Sequence, residues 1–179
     1  MMKDIIKPIA VLAAICLVVT ALLAYINSVT APIIADANAK AEAKAQHEVL
    51  TEADAFENID VESAGLPKEV TKAVKATNGA GYVFSLTVKG YGGDIDLICG
   101  IKSDGTIEAT QTLNHSETSG IGSRVVGKDS DYRHNYEGKT AETYESVDAL
   151  SGATISSKAY KSALKAAFEA YDILTGEAK

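Results

Sequence analysis

An uncharged apolar run near the N-terminus constrains this chain more than any other feature of its sequence. The run covers residues 8–26, and Thr20 is its only clearly polar side chain. A helix of about 20 apolar residues is long enough to cross the hydrocarbon core of a bilayer. Residues 1–30 are therefore predicted to form a cytoplasmic tip followed by one transmembrane helix.

Basic residues indicate the orientation of this predicted helix. Lys3 and Lys7 precede the run, whereas the next basic residue is Lys40. Because Lys and Arg are enriched on the cytoplasmic side, we predict a single-pass protein of the cell (inner) membrane with its main domain extracytoplasmic. Two alternatives stay open. A cleaved signal peptide has a shorter apolar core, although residues 21–24 suit a cleavage site, and a buried core helix can reach this length.

A helical stalk is predicted between the membrane segment and the folded domain, over residues 31–50. Pro32 is expected to break the helix just outside the membrane. Beyond it, Ala alternates with polar residues from Ala35 to Ala45. Alternation by itself suits a strand, but these residue types are strong helix formers, so we expect a solvated helix. Packing of its small face on a neighbouring subunit remains an alternative.

Residues 51–179 are predicted to form one extracytoplasmic domain. Runs rich in aromatic and β-branched residues predict strands at 82–89, 95–101 and 106–113, whereas residues 51–75 suggest loops and short elements. Closely spaced consecutive strands favour an antiparallel meander. Residues 157–174 place their apolar side chains on one helical stripe. The predicted fold class is α+β, an antiparallel sheet covered by helices, with one N-terminal transmembrane helix.

Composition argues against several kinds of site. The net charge of −7 disfavours binding to nucleic acid through its phosphates. The two cysteines, Cys16 and Cys99, lie in the apolar run and in a predicted strand, so no disulfide is expected. The three histidines are scattered, and no cluster with metal-ligand spacing occurs. No supporting Ser–carboxylate set accompanies His115, so neither a metal site nor a catalytic residue is predicted.

A stretch of small and hydroxyl-bearing residues precedes the predicted C-terminal helix. It reads Asp-Ala-Leu-Ser-Gly-Ala-Thr-Ile-Ser-Ser over residues 148–157. Small residues allow the backbone to bend and to approach a ligand closely. Hydroxyl groups at a helix start lie beside unpaired N–H groups that favour an anion. By itself, the stretch suits both a phosphate site and an ordinary capped helix.

The pattern Asp-x-x-Ser-Gly-Ala-Thr in this stretch resembles the flavinylation motif of the FMN-binding domain family. That family includes the RnfG component of the Rnf ion-translocating electron-transfer complex and the corresponding component of the sodium-pumping quinone reductase. Its last Thr carries FMN through a phosphoester bond. The resemblance implies covalent FMN on Thr154, with Ser151, Gly152 and Ala153 beside the cofactor.

Two further segments resemble the same family. Residues 90–93 are similar to its Gly-aromatic-Gly-Gly segment. Residues 115–122 resemble its His-x-Glu-Thr-Pro-Gly-Leu-Gly loop, with Ser119 in place of Pro and Ile121 in place of Leu. The resemblance implies that this loop lies close to the flavin and supplies cofactor-binding residues at Glu117, Thr118, Gly120 and Gly122.

The resemblance also implies a function. It points to a membrane-anchored subunit that carries electrons through FMN within an Rnf-type ferredoxin:NAD oxidoreductase, which couples electron transfer to ion translocation. The length of 179 residues with one anchor suits RnfG better than its longer quinone-reductase counterpart. Implied partners are the other membrane subunits and a flavin transferase for maturation. A stand-alone extracytoplasmic flavoprotein and a non-redox, membrane-tethered assembly module are the alternatives.

Overall fold

The computed structural model describes the backbone of residues 2–176 and the side chains of residues 6–176. The chain divides into two compact units, Met1–Ala41 and Glu42–Lys179. The predicted limits of the tip and anchor, the stalk and the domain, at 1–30, 31–50 and 51–179, stay predictions.

Helix α1 extends from Met2 to Val49. It contains an 18-residue window with a mean hydropathy of 2.8, none of which is buried. Among the described residues, α1 is the only helix long and apolar enough to cross a membrane. The predicted break at Pro32 is wrong, because the helix continues through it. A proline removes one backbone hydrogen bond, and the hydroxyls of Ser28 and Thr30 donate to carbonyls of the preceding turn.

The second unit is built on a five-stranded antiparallel sheet whose strands follow one another in chain order, which confirms the meander. The strands are β1 (Phe56–Ile59), β2 (Val70–Ala76), β3 (Gly81–Lys89), β4 (Asp94–Lys102) and β5 (Ile107–His115). The last three were predicted, with ends that differ by one or two residues. The first two lie at the edge of the sheet, in and next to the acidic stretch where loops and short elements were expected. Lysine and alanine make up four of the seven residues of β2, and both have low strand propensity.

Helix α3 (Thr154–Thr175) covers one face of this sheet, as predicted. Its buried side chains Tyr160, Leu164 and Phe168 pack in one cluster with Phe84 and Leu97 of the sheet. The amphipathic stripe therefore forms the main core, because each apolar side chain on it is removed from water by a strand residue.

The end of α1 covers the opposite face of the sheet. Val49 and Leu50 are buried together with Val74, Val83 and Ile98 in a second apolar cluster. The expectation of a solvated helix is therefore wrong for the last turns of α1. The alanine-rich pattern concealed this contact, since only the final turn carries large apolar residues. Burial on both faces also explains why β3 and β4 are apolar at successive positions.

Three short elements connect β5 to α3: helix α2 (Ser123–Val126) and two 3-10 turns (Asp131–Tyr136 and Tyr144–Ser146). The first 3-10 turn supplies Tyr132 and Tyr136, whose rings pack on Tyr160 of α3. The Tyr160 hydroxyl lies 2.6 Å from that of Thr110 in β5. The Tyr132 hydroxyl donates to the carbonyl of Asp148 at 2.9 Å. This aromatic cluster thereby fixes the start of the 148–157 stretch.

Replacing Gly100 of β4 tests the packing of α1 on the sheet. A Cβ at this position would overlap the backbone carbonyl oxygen of Val49. We expect Gly100→Ala to lower the free energy of unfolding by about 1–3 kcal/mol, the usual range for overpacking. Thermal unfolding of the detergent-solubilised full chain, followed by the near-ultraviolet signal of its tyrosines, measures the change. The exposed Glu57→Ala in β1 is the control, and equal stability of both variants would contradict the contact.

Candidate functional site

Three segments that are distant in sequence meet around one open cavity of about 390 Å³. They are the turn between β3 and β4, the loop that follows β5, and the first turn of α3. Small-molecule sites commonly measure about 300–1,000 Å³. The cavity is lined by Tyr91, Glu117, Thr118, Ile121, Gly122, Gly152, Ala153, Thr154, Ile155 and Ser156.

The carboxylate of Glu117 joins these three segments. Its Oε1 atom accepts hydrogen bonds from the backbone N–H groups of Tyr91, at 2.6 Å, and Gly92, at 3.0 Å. Its Oε2 atom accepts from the hydroxyl of Ser156 in α3, at 2.7 Å. The side chain is only 8% exposed. One buried group therefore determines the mutual placement of the turn, the loop and the helix.

Two glycines leave the space that this carboxylate occupies. A Cβ at Gly90 would overlap Oε1 of Glu117, and a Cβ at Gly122 would overlap Oε2. Any other residue at either position would push the carboxylate away from its donors. The glycines of the two resembling segments are thus required by the close approach of the backbone to Glu117.

Glu117 is ionised at neutral pH. Burial by itself would raise its pKa, but hydrogen bonds from Ser156 and from the N–H groups of Gly92 and Tyr91 outweigh burial, and the pKa of Glu117 lies below its usual range. The ring of His115 accepts from the N–H of Glu117 through Nδ1, at 3.2 Å. The carboxylate therefore stabilises the loop as an anion held by neutral donors.

The hydroxyl groups at the start of α3 have different roles. Ser157 donates to the carbonyl of Ala153 and accepts from the N–H of Leu150, each at 3.0 Å. Ser156 donates to Glu117. Thr154 is exposed, and its hydroxyl makes no hydrogen bond within residues 2–176. Of the three hydroxyls noted in the sequence, only that of Thr154 is free to react.

Helix α3 begins without a side-chain cap. Its N-cap residue is Ala153, which has no hydroxyl or carboxylate to offer, and its first turn contains no acidic residue. The alternative of an ordinary capped helix therefore fails. The N–H groups of the first turn, which have no partners within the helix, and the positive end of the helix dipole remain available to an anion at Thr154.

Two Ser-Gly turns border the cavity. In the first, the N–H of Ile121 donates to the carbonyl of Thr118, with Gly120 at φ +78°. In the second, the N–H of Ala153 donates to the carbonyl of Leu150, with Gly152 at φ +82°. Glycine is favoured at both third positions because left-handed backbone strains other residues.

The structure brings most of the predicted site residues to one place. Glu117, Thr118, Gly122, Gly152, Ala153 and Thr154 line the cavity. Ser151 and Gly120 occupy the bordering turns and lie outside its lining, and Ser151 instead faces a separate cleft beside Asp148. The assignment of these residues to a cofactor stays a prediction.

Four lining residues were not among those predicted: Tyr91, Ile121, Ile155 and Ser156. Three of them are large and exposed, with Tyr91 at 71%, Ile121 at 53% and Ile155 at 54%. In residues 42–176, the only other large hydrophobic side chain with such exposure is Ile173. The exposed apolar surface of this unit is thus concentrated around the cavity, where it suits a planar aromatic ligand. The sequence signal that could have found them was their position within or next to the three resembling segments.

Comparison with known sequences agrees with this geometry. Residues 90–169 match the FMN-binding domain family, and this span contains all three segments around the cavity. Residues 1–49 match the RnfG N-terminal region. The fold, the site and these matches define a class, the FMN-binding-domain proteins that carry an N-terminal apolar helix.

Relatives of known name cover nearly the whole chain, and all three described here are G subunits of ion-translocating complexes. Over 183 aligned residues, the chain is 33% identical to that of the ion-translocating oxidoreductase complex of Methanosarcina acetivorans, covering 93% of this chain and 94% of the relative. It is 30% identical over 195 residues to that of the Na⁺-translocating ferredoxin:NAD⁺ oxidoreductase complex of Acetobacterium woodii, covering 97% and 94%. The proton-translocating counterpart of Clostridium ljungdahlii is 27% identical over 170 residues, covering 90% and 88%. This chain belongs to the RnfG family.

Replacing Glu117 by Gln tests its role in stability. The change keeps the shape but removes the charge, so we expect the free energy of unfolding at pH 7 to fall by about 1–3 kcal/mol. Because the folded pKa lies below the unfolded value of about 4.3, the ionised group stabilises the fold above that pH. The difference from wild type should therefore be constant above about pH 5 and shrink in more acidic solution.

Urea titration of the full chain in detergent between pH 3 and pH 8 measures this difference, with the exposed Glu57→Gln as control. A deficit of Glu117→Gln that persists unchanged to the lowest pH would contradict an ionised Glu117.

Restoring the proline of the family loop at position 119 should stabilise the protein. Ser119 is the second residue of the turn closed by Thr118 and Ile121, a position at which proline is favoured. Its N–H and hydroxyl make no hydrogen bond within residues 2–176. We expect Ser119→Pro to raise the free energy of unfolding by about 0.4–1 kcal/mol by restricting the unfolded chain. Ser119→Ala is the matched control, and a melting temperature below that control would disprove the proposed turn.

Proposed function

We propose that this protein is an electron-carrying subunit of an Rnf-type ion-translocating oxidoreductase, and that its FMN is attached to Thr154 by a phosphoester bond. The observation that carries the proposal is the exposed, unengaged Thr154 hydroxyl at the uncapped start of α3, on the wall of a cavity with an apolar rim. Membership of the RnfG family and the match to the FMN-binding domain support it.

The residues present suit this group. The free N–H groups at the start of α3 would stabilise the remaining negative charge of the phosphoester by roughly 0.3–1 kcal/mol. Tyr91, Ile121 and Ile155 offer apolar surface to the flavin ring, while Glu117 holds the three supporting segments together. When bound, FMN supplies the electron-transfer chemistry, and the protein sets its position and surroundings.

A covalent bond is useful on the extracytoplasmic side of the membrane, where we place this domain from the basic residues at the N-terminus. A flavin held with a dissociation constant of ~1 μM, equivalent to about 8 kcal/mol, would be lost to dilute surroundings. Attachment to Thr154 prevents that loss. A flavin transferase that uses FAD as donor would make the bond, because the chain itself offers no catalytic set beside the hydroxyl.

Ion translocation is a property of the complex in this proposal. Relatives in the family are named as subunits of Na⁺-translocating and proton-translocating ferredoxin:NAD⁺ oxidoreductase complexes. The apolar run at residues 8–26 contains no acidic residue that could form an ion path. Other membrane subunits would therefore supply the path, and this subunit would pass electrons to or from them.

Removing the Thr154 hydroxyl tests the attachment. The full chain is produced together with a flavin transferase, and covalent flavin is detected by fluorescence in a denaturing gel and by peptide mass spectrometry. We expect Thr154→Ala to lose all covalent flavin, because no other free hydroxyl occupies this helix start. Ser151→Ala is the control and should remain fully flavinylated, since Ser151 lies outside the cavity lining.

A wild-type peptide without FMN would overturn the attachment and favour the non-redox assembly module. Ferredoxin-dependent NAD reduction in membranes tests the place in the complex. We expect Thr154→Ala to abolish it, whereas unchanged activity would favour a stand-alone flavoprotein carrier.

A further inference from the structure

The wall of the cavity contains one net negative charge that no cation neutralises. Among the residues that line the cavity, Glu117 is the only charged one. Its three donors are two backbone N–H groups and a serine hydroxyl, all of them neutral. Among the described residues, no lysine, arginine or histidine side chain forms an ion pair with it. The hydrogen bonds therefore stabilise the charge without cancelling it.

Such a charge acts on any redox group in the cavity. The carboxylate is 8% exposed, so bulk water screens it less than it screens a surface carboxylate. Adding an electron to a group beside a fixed anion is electrostatically unfavourable, and charge near a flavin is one of the means by which proteins tune it. We propose that Glu117 lowers the reduction potential of FMN in this cavity, in addition to holding the site together. The inference rests on the proposed function.

Neighbouring charged groups do not offset Glu117. His115 presents its Nδ1 lone pair to the N–H of Glu117, which requires that nitrogen to be unprotonated. Lys89, at the base of the β3–β4 turn, is paired with Asp94 at 2.8 Å. Tyr91 approaches through its backbone, and Lys158, on the next turn of α3, lies outside the cavity lining. The charge of Glu117 therefore dominates the field at the cavity wall.

Two substitutions separate the charge of Glu117 from its structural role. Glu117→Gln removes the charge but keeps the shape of the side chain and an oxygen acceptor. Ser156→Ala removes one of its three donors but keeps the charge. A shift caused by the charge should appear in the first variant and not in the second, whereas a shift caused by loosened structure should appear in both.

Glu108→Gln is the remote control. Glu108 also lies on β5 and accepts hydrogen bonds from the backbone and side chain of Thr51. Seven residues separate it from His115 at the site end of the same strand, roughly 23 Å at the usual rise of a strand. Its substitution removes an equal charge at a distance where screening is effective.

The experiment is a spectroelectrochemical titration of the flavinylated full chain at pH 7.5. We expect the midpoint potential of Glu117→Gln to shift in the positive direction, and those of Ser156→Ala and Glu108→Gln to stay at the wild-type value. A flavinylated Glu117→Gln with an unchanged potential overturns the inference and leaves the proposed function intact. An equal shift in Ser156→Ala, or in Glu108→Gln, overturns it as well.

If Glu117→Gln does not take up flavin, the pH dependence of wild type and Ser156→Ala decides. Losing a donor to the charged form raises the pKa of Glu117, so neutralisation of the charge begins at higher pH in the variant. The potential of Ser156→Ala should then depart positively from wild type as the solution is acidified. Identical profiles overturn the inference, and if the wild-type protein carries no covalent flavin, the inference falls together with the proposed function.

Discussion

The site depends on the buried carboxylate of Glu117, which holds three separate segments through one set of hydrogen bonds. The turn at 90–93, the loop at 115–122 and the start of α3 have no regular backbone pairing with one another. Each hydrogen bond to a charged acceptor is worth about 1.5–3 kcal/mol, and a lost partner leaves a buried group unsatisfied. The glycines at 90 and 122 have meaning only in relation to this group, because each leaves the space that one of its oxygens occupies.

The rest of the domain supports that arrangement from both faces of the sheet. Helix α3 buries its aromatic stripe on one face, and the last turn of α1 packs on the other. The tyrosine cluster between β5 and α3 holds the carbonyl of Asp148, just before the helix begins. The first residues of α3 are thus fixed at both sides, while Thr154 remains exposed between them. Rigid support around one free hydroxyl is suitable for a residue that must be reached by a modifying enzyme.

Local patterns in the sequence were sufficient for the elements that carry strong periodicity. The apolar run, the three central strands and the C-terminal helix were predicted correctly, because each buries large side chains at regular spacing or, in the run, excludes charge over a long stretch. Strands β1 and β2 were missed, since lysine and alanine weaken the strand signal in β2 and β1 has only four residues. The break at Pro32 was wrong because local propensity was given more weight than the continuing helix on both sides. The motif around Thr154 and the loop at 115–122 indicated the site only through their resemblance to a family.

By itself, the sequence determined the apolar N-terminal helix, the antiparallel meander and the residues around which a flavin site could form. All of these depend on neighbours within a few positions, where side-chain type and spacing carry the information. Only the tertiary structure decided that Ser156 bonds to Glu117, 39 residues away, and that Tyr91 donates to the same group across 26 residues. It also decided which of three neighbouring hydroxyls stays free. These outcomes depend on which segments the folded sheet brings together, and no local period in the chain encodes that.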